Sequence, residues 1–241
     1  MGDPTQTPAR DPGGVDAARA WEVGIAWLDA LAPGERQRAT ESLRFVAADA
    51  GASVCRQGVP PVGWLGVLDG LVRVACTDES GRTTTITGVG AGGWFGEGTL
   101  LKHEPYRFQA DALRPSRLAI LPPCMFDELL ARSVAFNRIV LDQLNERPSQ
   151  FVSSREWERL RPAARVARHL AQLCNPVLYP RSGLVVKLRQ QELADLAGLS
   201  RQCVNGALSQ LQDRGILRVE YGGLRIRDLA AIGSAVDAAG E

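Results

Sequence analysis

Four side chains late in the chain, Arg201, Gln202, Asn205 and Ser209, have the types and spacing to read a nucleic acid. On a helix they share one face, while Val204, Leu208 and Leu211 recur at i, i+4 and i+7 on the other. A face turned only to water usually carries Glu and Lys. This one concentrates Arg, Gln and Asn, whose paired donors and acceptors match guanine and adenine edges in the major groove.

Other chemistries have little to work with. The chain holds two histidines, His103 and His169, and five scattered cysteines, Cys55, Cys76, Cys124, Cys174 and Cys203, with no C-x-x-C pair. Neither a disulfide framework nor a metal or iron–sulfur site is suggested, and no bound cofactor is required. A cupin-type enzyme commonly uses several histidines, and His103 is the one histidine of the glycine-rich region. Cys203 is the candidate for redox control: in the first turn of a helix beside Arg201, the helix dipole and a cation favour the thiolate.

The elements that must position the reading face can be built from the same stretch. Leu193, Ala194, Leu196 and Ala197 give a preceding short helix an apolar face, and Gly198 can end it in a left-handed conformation. Ser200 suits the N-cap of the second helix. After Gly215, "ILRVEYGGLRIRD" reads as two short strands turning at Tyr221–Gly223. Helix, tight turn, helix and hairpin make a winged helix-turn-helix. Residues 161–228 hold eleven basic against five acidic residues, a balance of +6, whereas residues 1–160 hold seventeen against twenty. The basic segment is the one with the reading face, which favours DNA over a binding module that never touches it.

Upstream, residues 21–47 carry a helical pattern with Ile25, Leu28 and Leu31 on one face and a break at Pro33–Glu35. Short runs such as "WLGVLDG", "LVRVACT" and "TTTITGV", separated by glycines, then read as an antiparallel roll. From Pro123 to Leu160 the period is helical again. Phe136, Ile139, Val140, Leu144 and Phe151 form an apolar seam suited to a partner helix, and Pro148 should kink it. The expected fold is α+β: a tail at 1–20, an N-terminal antiparallel β-roll at 21–135, a long dimerisation helix at 136–160 and a C-terminal winged helix-turn-helix at 161–241. No apolar run nears the ~20 residues that span a bilayer, and the N-terminus lacks a signal-peptide pattern, so a cytoplasmic location is expected.

Two motifs in this order resemble the cyclic-AMP receptor and fumarate-nitrate-reduction regulator (CRP/FNR) family. "QQELADLAGLSRQCVNGALSQLQDRGIL" is similar to its DNA-binding segment, and "GGWFGEGTLL" to its phosphate-binding cassette. The resemblance implies a transcription regulator that binds double-stranded palindromic DNA as a homodimer, with RNA polymerase as a further partner. Arg201 matches the base-reading arginine, Gln202 stands where the family often has glutamate, and Gly206 where the cyclic-AMP receptor has a second arginine. Arg189 takes the place of a capping Ser or Thr and is available to a phosphate.

In the roll, the resemblance assigns Gly96 and Glu97 to the ribose of a cyclic nucleotide and Arg107 to its phosphate. Phe108 replaces the serine that follows that arginine, and Gln150 and Phe151 replace the pair that meets adenine. A cyclic nucleotide, another small molecule and no effector all stay open. With no effector, Glu97 and Arg107 would pair with each other inside an altered roll.

Overall fold

The computed structural model describes residues 25–147, 160–180 and 183–237. A 3-10 helix, Ala26–Ala30, leads into α1 (Pro33–Ser42). The sequence pattern suggested a break at Pro33, but the helix begins there: proline at the first position loses no helical hydrogen bond, and Glu35 reaches back to accept from the Ala32 N–H at 3.2 Å. The helical expectation also ran too far. Arg44–Ala48 is strand β1, drawn into a sheet by its partner β8.

The roll is two four-stranded antiparallel sheets. One runs β1, β8 (Ser116–Leu121), β3 (Trp64–Asp69) and β6 (Trp94–Phe95); the other runs β2 (Ser53–Cys55), β7 (Gln109–Ala112), β4 (Leu71–Thr77) and β5 (Thr83–Gly90). Between β6 and β7 lies the short helix α2 (Glu97–Lys102). Leu65, Val67, Val72, Val89 and Phe95 fill the space between the sheets.

Helix α3 (Pro123–Arg132) and helix α4 (Val134–Glu146) close one side of the roll, with Ser133 capping α4 by accepting from the Phe136 N–H. This placement draws part of the expected apolar seam into the roll. Phe136 and Val140 are buried in an aromatic cluster with Trp27, Trp64, Trp94 and Phe126, and Ile139 and Leu144 pack against it. Phe136 and Val140 are spent on the chain's own roll. The apolar residues that α4 leaves exposed are Val134, at 73%, and Leu141, at 63%. Pro148, Gln150 and Phe151 lie outside the described residues.

The C-terminal unit contains α5 (Pro162–Leu173), α6 (Gln190–Ala197), α7 (Arg201–Asp213) and α8 (Leu229–Asp237). Its sheet has three strands, β10 (Leu217–Glu220), β11 (Gly223–Ile226) and β9 (Val185–Val186), one more than the expected hairpin. Val166, Leu170, Leu193, Val204, Leu208, Leu211 and Leu224 form its core.

The two units are packed together closely. A Cβ on Gly88 would sit 2.8 Å from Leu196 Cδ1, and one on Gly93 would sit 2.4 Å from the Tyr179 ring, so glycine is what permits this approach. Tyr179 Oη donates to the Gly88 carbonyl at 2.8 Å, and Arg114 bonds the Gly70 and Lys187 carbonyls and Glu192. Burial lifts the Tyr179 hydroxyl pKa to about 12, so it stays a donor. No helix among the described residues is long and apolar enough to cross a membrane.

Candidate nucleic-acid interface and effector cleft

The reading helix is fixed at both ends of the preceding turn. Gly198 adopts φ 60° and ψ 41° and ends α6, where a side chain would be strained. Two residues on, Ser200 Oγ accepts from the Cys203 N–H at 3.2 Å and starts α7. Val204, Ala207, Leu208 and Leu211 are buried, so rotation of α7 about its axis is set by the core.

The opposite face, with Arg201, Gln202, Cys203, Asn205, Gly206 and Ser209, is exposed. The expected group therefore converges on one surface. Two details refine it. Asn205 Oδ1 accepts from Gln190 Nε2 at 3.0 Å, which ties the reading face to α6 and leaves the amide N–H groups of Asn205 for a partner. A Cβ on Gly206 would meet nothing within 4 Å, so this turn of the face is open.

Arg189 is exposed next to α6, and the capping there is done by Glu192, whose Oε2 accepts from the Arg189 N–H at 2.7 Å. The wing adds residues not singled out from sequence: Tyr221 stands fully exposed at its tip, and Arg218, Arg225 and Arg227 are exposed along its strands and just beyond them. Arg225 pairs with Glu220 at 2.7 Å. Alternation along "LRVEYGGLRIR" was the signal that put these arginines outward.

In the roll, a cleft of about 360 Å³ lies among Val74, Ile86, Phe95, Glu97, Arg107 and Phe108, with Leu144 of α4 and Arg147 just after it completing the wall. Gly96 precedes α2 with φ 95°, a left-handed conformation open to glycine. Glu97 is buried, and it does not pair with Arg107. Its carboxylate accepts from Arg147 Nε at 2.6 Å and from Trp64 Nε1 at 3.3 Å, and Arg147 also donates to the Trp94 carbonyl. Burial works against the Arg147 charge, and contact with Glu97 outweighs it, so the guanidinium is held protonated more firmly than usual.

Arg107 lies at the mouth instead, 76% exposed and bonded to Glu104 at 2.7 Å. The alternative in which Glu97 and Arg107 pair inside the roll is therefore corrected: Arg107 points outward, and the residue that follows α4, Arg147, enters in its place. Phe108 packs its ring against Phe95 and Tyr106, at centroid distances of 6.2 and 5.3 Å. Arg147 went unnoticed in the sequence because nothing local marks a contact across fifty residues. Gln150 and Phe151, the remaining effector candidates, lie outside the described residues.

A glycine-rich roll packed against a winged helix-turn-helix is the architecture of a DNA-binding transcription regulator. Comparison with known proteins agrees. A model of the cyclic nucleotide-binding domain matches residues 45–133, and a model of the Crp-like helix-turn-helix domain matches residues 164–233.

The transcriptional regulator LdrP of Thermus thermophilus is 32% identical over 71% of this chain and 88% of its own. A cyclic AMP receptor protein of the same organism is 30% identical over 69% of this chain and 76% of its own. The solved structure of a further CRP/FNR-family transcriptional regulator from Thermus thermophilus shares 27% identity, covering 81% of this chain and all of that one, with a TM-score of 0.50. The chain belongs to the CRP/FNR family of transcription regulators.

Proposed function

We propose that this regulator binds a palindromic operator as a two-fold dimer, with one α7 in each of two major grooves about 34 Å apart. The observation that carries this reading is the face of α7: exposed Arg, Gln, Asn and Ser opposite a fully buried stripe, with no acidic residue before Asp213. Arg201 reads guanine; Gln202, Asn205 and Ser209 complete the base contacts; Arg189 and the wing arginines meet phosphates. It acts in the cytoplasm as a binding protein, not an enzyme, with RNA polymerase as the further partner. Dimerisation rests on Val134 and Leu141 together with the chain that follows α4. Selection from random double-stranded DNA tests the reading: a symmetric consensus supports it, and unchanged base composition after several rounds defeats it.

The cleft beside Glu97 is the place for a small effector. A cyclic phosphate there would take Arg107 from Glu104, a charge-assisted exchange, while Phe108 offers no hydroxyl. Calorimetry with cyclic AMP and cyclic GMP decides whether the cleft takes a cyclic nucleotide. Cys203, exposed on the reading face, supports a second control. Peroxide should weaken DNA binding of the wild type but not of Cys203→Ser, because a sulfinate places polar bulk and negative charge against the phosphates.

A further inference from the structure

Helix α6 joins the C-terminal unit, the reader, to the roll, and one roll arginine holds its start. Leu71 of β4 and Leu113 pack into the reader's own core, with Leu71 fully buried. Arg114 follows on a backbone fixed by Ser116, whose hydroxyl donates to the Arg114 carbonyl at 2.7 Å and accepts from the Leu71 N–H at 3.2 Å. The Arg114 guanidinium then bridges the two units. Nη2 donates to the Gly70 carbonyl of the roll at 3.1 Å, both terminal nitrogens donate to the Lys187 carbonyl at 3.1 Å, and Nη1 donates to the Glu192 oxygens at 3.4 and 3.3 Å. A planar fork can hold such a set together; the single ammonium of a lysine cannot.

Glu192 is 5% exposed and has a second duty in α6, where its Oε2 accepts from the Arg189 N–H at 2.7 Å. Arg114 is thus the counter-charge of a buried carboxylate that starts α6. At the far end of the helix, Leu196 rests on Gly88 of β5, where even a Cβ would come within 2.8 Å. The first residue of α6, Gln190, donates to Asn205 on α7 at 3.0 Å. The roll therefore grips α6 at both ends, and α6 carries α7.

We propose that Arg114, acting through Glu192, is a positioning residue for DNA reading: it sets the direction in which each α7 leaves the roll, and so the spacing of the two readers in a dimer. The proposal rests on the reading of a dimer on a palindrome. Arg114 itself makes no base contact, because its terminal nitrogens are committed within the protein. Two linked readers gain avidity only when both can meet their grooves at once. A reader released from the roll keeps its base-reading face but must be oriented anew on each operator. The loss then falls on the full operator and spares the half-site.

Affinities of the full chain for a selected full operator, a single half-site, and operators with a base pair inserted or removed between half-sites test this. Arg114→Met should bind the half-site as the wild type does, lose roughly tenfold on the full operator, a share of the avidity of two linked sites, and discriminate less between spacings. Arg114→Lys should follow it, since one ammonium does not replace the fork. Arg114→Met combined with Glu192→Gln removes both buried charges and keeps an oxygen for the Arg189 N–H, so it reads the same loss if the single variant fails to fold. Equal losses on half-site and full operator would make Arg114 a support of the reader's fold and overturn the proposal. So would an unchanged full-operator affinity with unchanged spacing selectivity. A wild type that binds the full operator no better than the half-site defeats the palindrome reading instead, and NMR relaxation dispersion of the DNA-free protein then decides. Exchange broadening along α6 in Arg114→Met but not in the wild type supports the positioning role; identical profiles overturn it.

Discussion

The reader and the sensor hold their functional groups by opposite means. In the reader, cap, turn, buried stripe and exposed face all lie between Gln190 and Asp213, and each follows from spacing on a helix. In the sensor, Glu97 meets Trp64 from thirty-three residues upstream and Arg147 from fifty downstream. A locally built site depends on propensity and capping, worth about 1 kcal/mol apiece. A site assembled across the fold depends on buried charge, where single changes cost more.

The largest expected effect follows from the sensor. Arg147→Met leaves the Glu97 carboxylate buried without its counter-charge, which should cost about 3–5 kcal/mol in denaturant unfolding. Glu97→Gln combined with Arg147→Met should recover much of that loss, since neither charge is then stranded. A loss below about 1 kcal/mol for Arg147→Met would mean that the contrast between the two regions is smaller than their geometry suggests.

The same contrast governs what could be read from sequence. Gly198, Ser200 and the stripe Val204, Leu208, Leu211 sit where helix periodicity and cap chemistry put them. Neither the partner of Glu97 nor the packing of Phe136 and Val140 could be read from sequence, for one reason. An apolar stripe or an arginine announces that it needs a partner but not which one. Phe136 and Val140 found theirs among Trp27, Trp64 and Trp94, and Glu97 found Arg147, only once strands distant in sequence had been brought together. Arg44–Ala48 likewise became a strand because β8 lies alongside it.

The interior of the reader also carries one charge-sensitive residue, and it sets the next effect in size. Burial first, then the Arg165 and Arg168 guanidiniums, push the His169 pKa down from 6.5 to about 4. Unfolding restores its ordinary affinity for protons, so the unfolded chain binds more protons than the folded one between those values. Stability therefore falls as pH drops through this window, by about 2 kcal/mol between pH 7 and pH 5. Denaturant unfolding of the wild type and of His169→Gln at both pH values isolates the share due to this residue. An equal pH dependence in both proteins would show that His169 is not its source.

Arg201→Ala should cost roughly 1–3 kcal/mol on the best operator and relax preference at one base pair per half-site, leaving stability unchanged. Affinity measured on operator and random DNA at two salt concentrations separates this from a phosphate contact, which weakens all sequences alike and lowers the salt slope by about one. Asn205→Ala should do less, since its carbonyl oxygen is already committed to Gln190.

The smallest effect tests how local the reader is. Ser200 accepts from the Cys203 N–H and caps α7, so Ser200→Ala leaves that amide to solvent and should lower stability by about 1 kcal/mol; Ser200→Gly should cost only a few tenths. The site is exposed, which keeps the loss modest and leaves the core of Val204, Leu208 and Leu211 in place. Fraying should then be confined to the first turn, where Arg201 and Gln202 project. Amide exchange should accelerate at Cys203 while Leu208 and Leu211 keep their protection, and operator affinity should fall by more than global stability does, because Arg201 and Gln202, the residues proposed to read bases, lie on the turn that frays. If exchange instead rises evenly along α7, the helix responds as a single unit with its core, and the reader is held by the same long-range packing as the sensor.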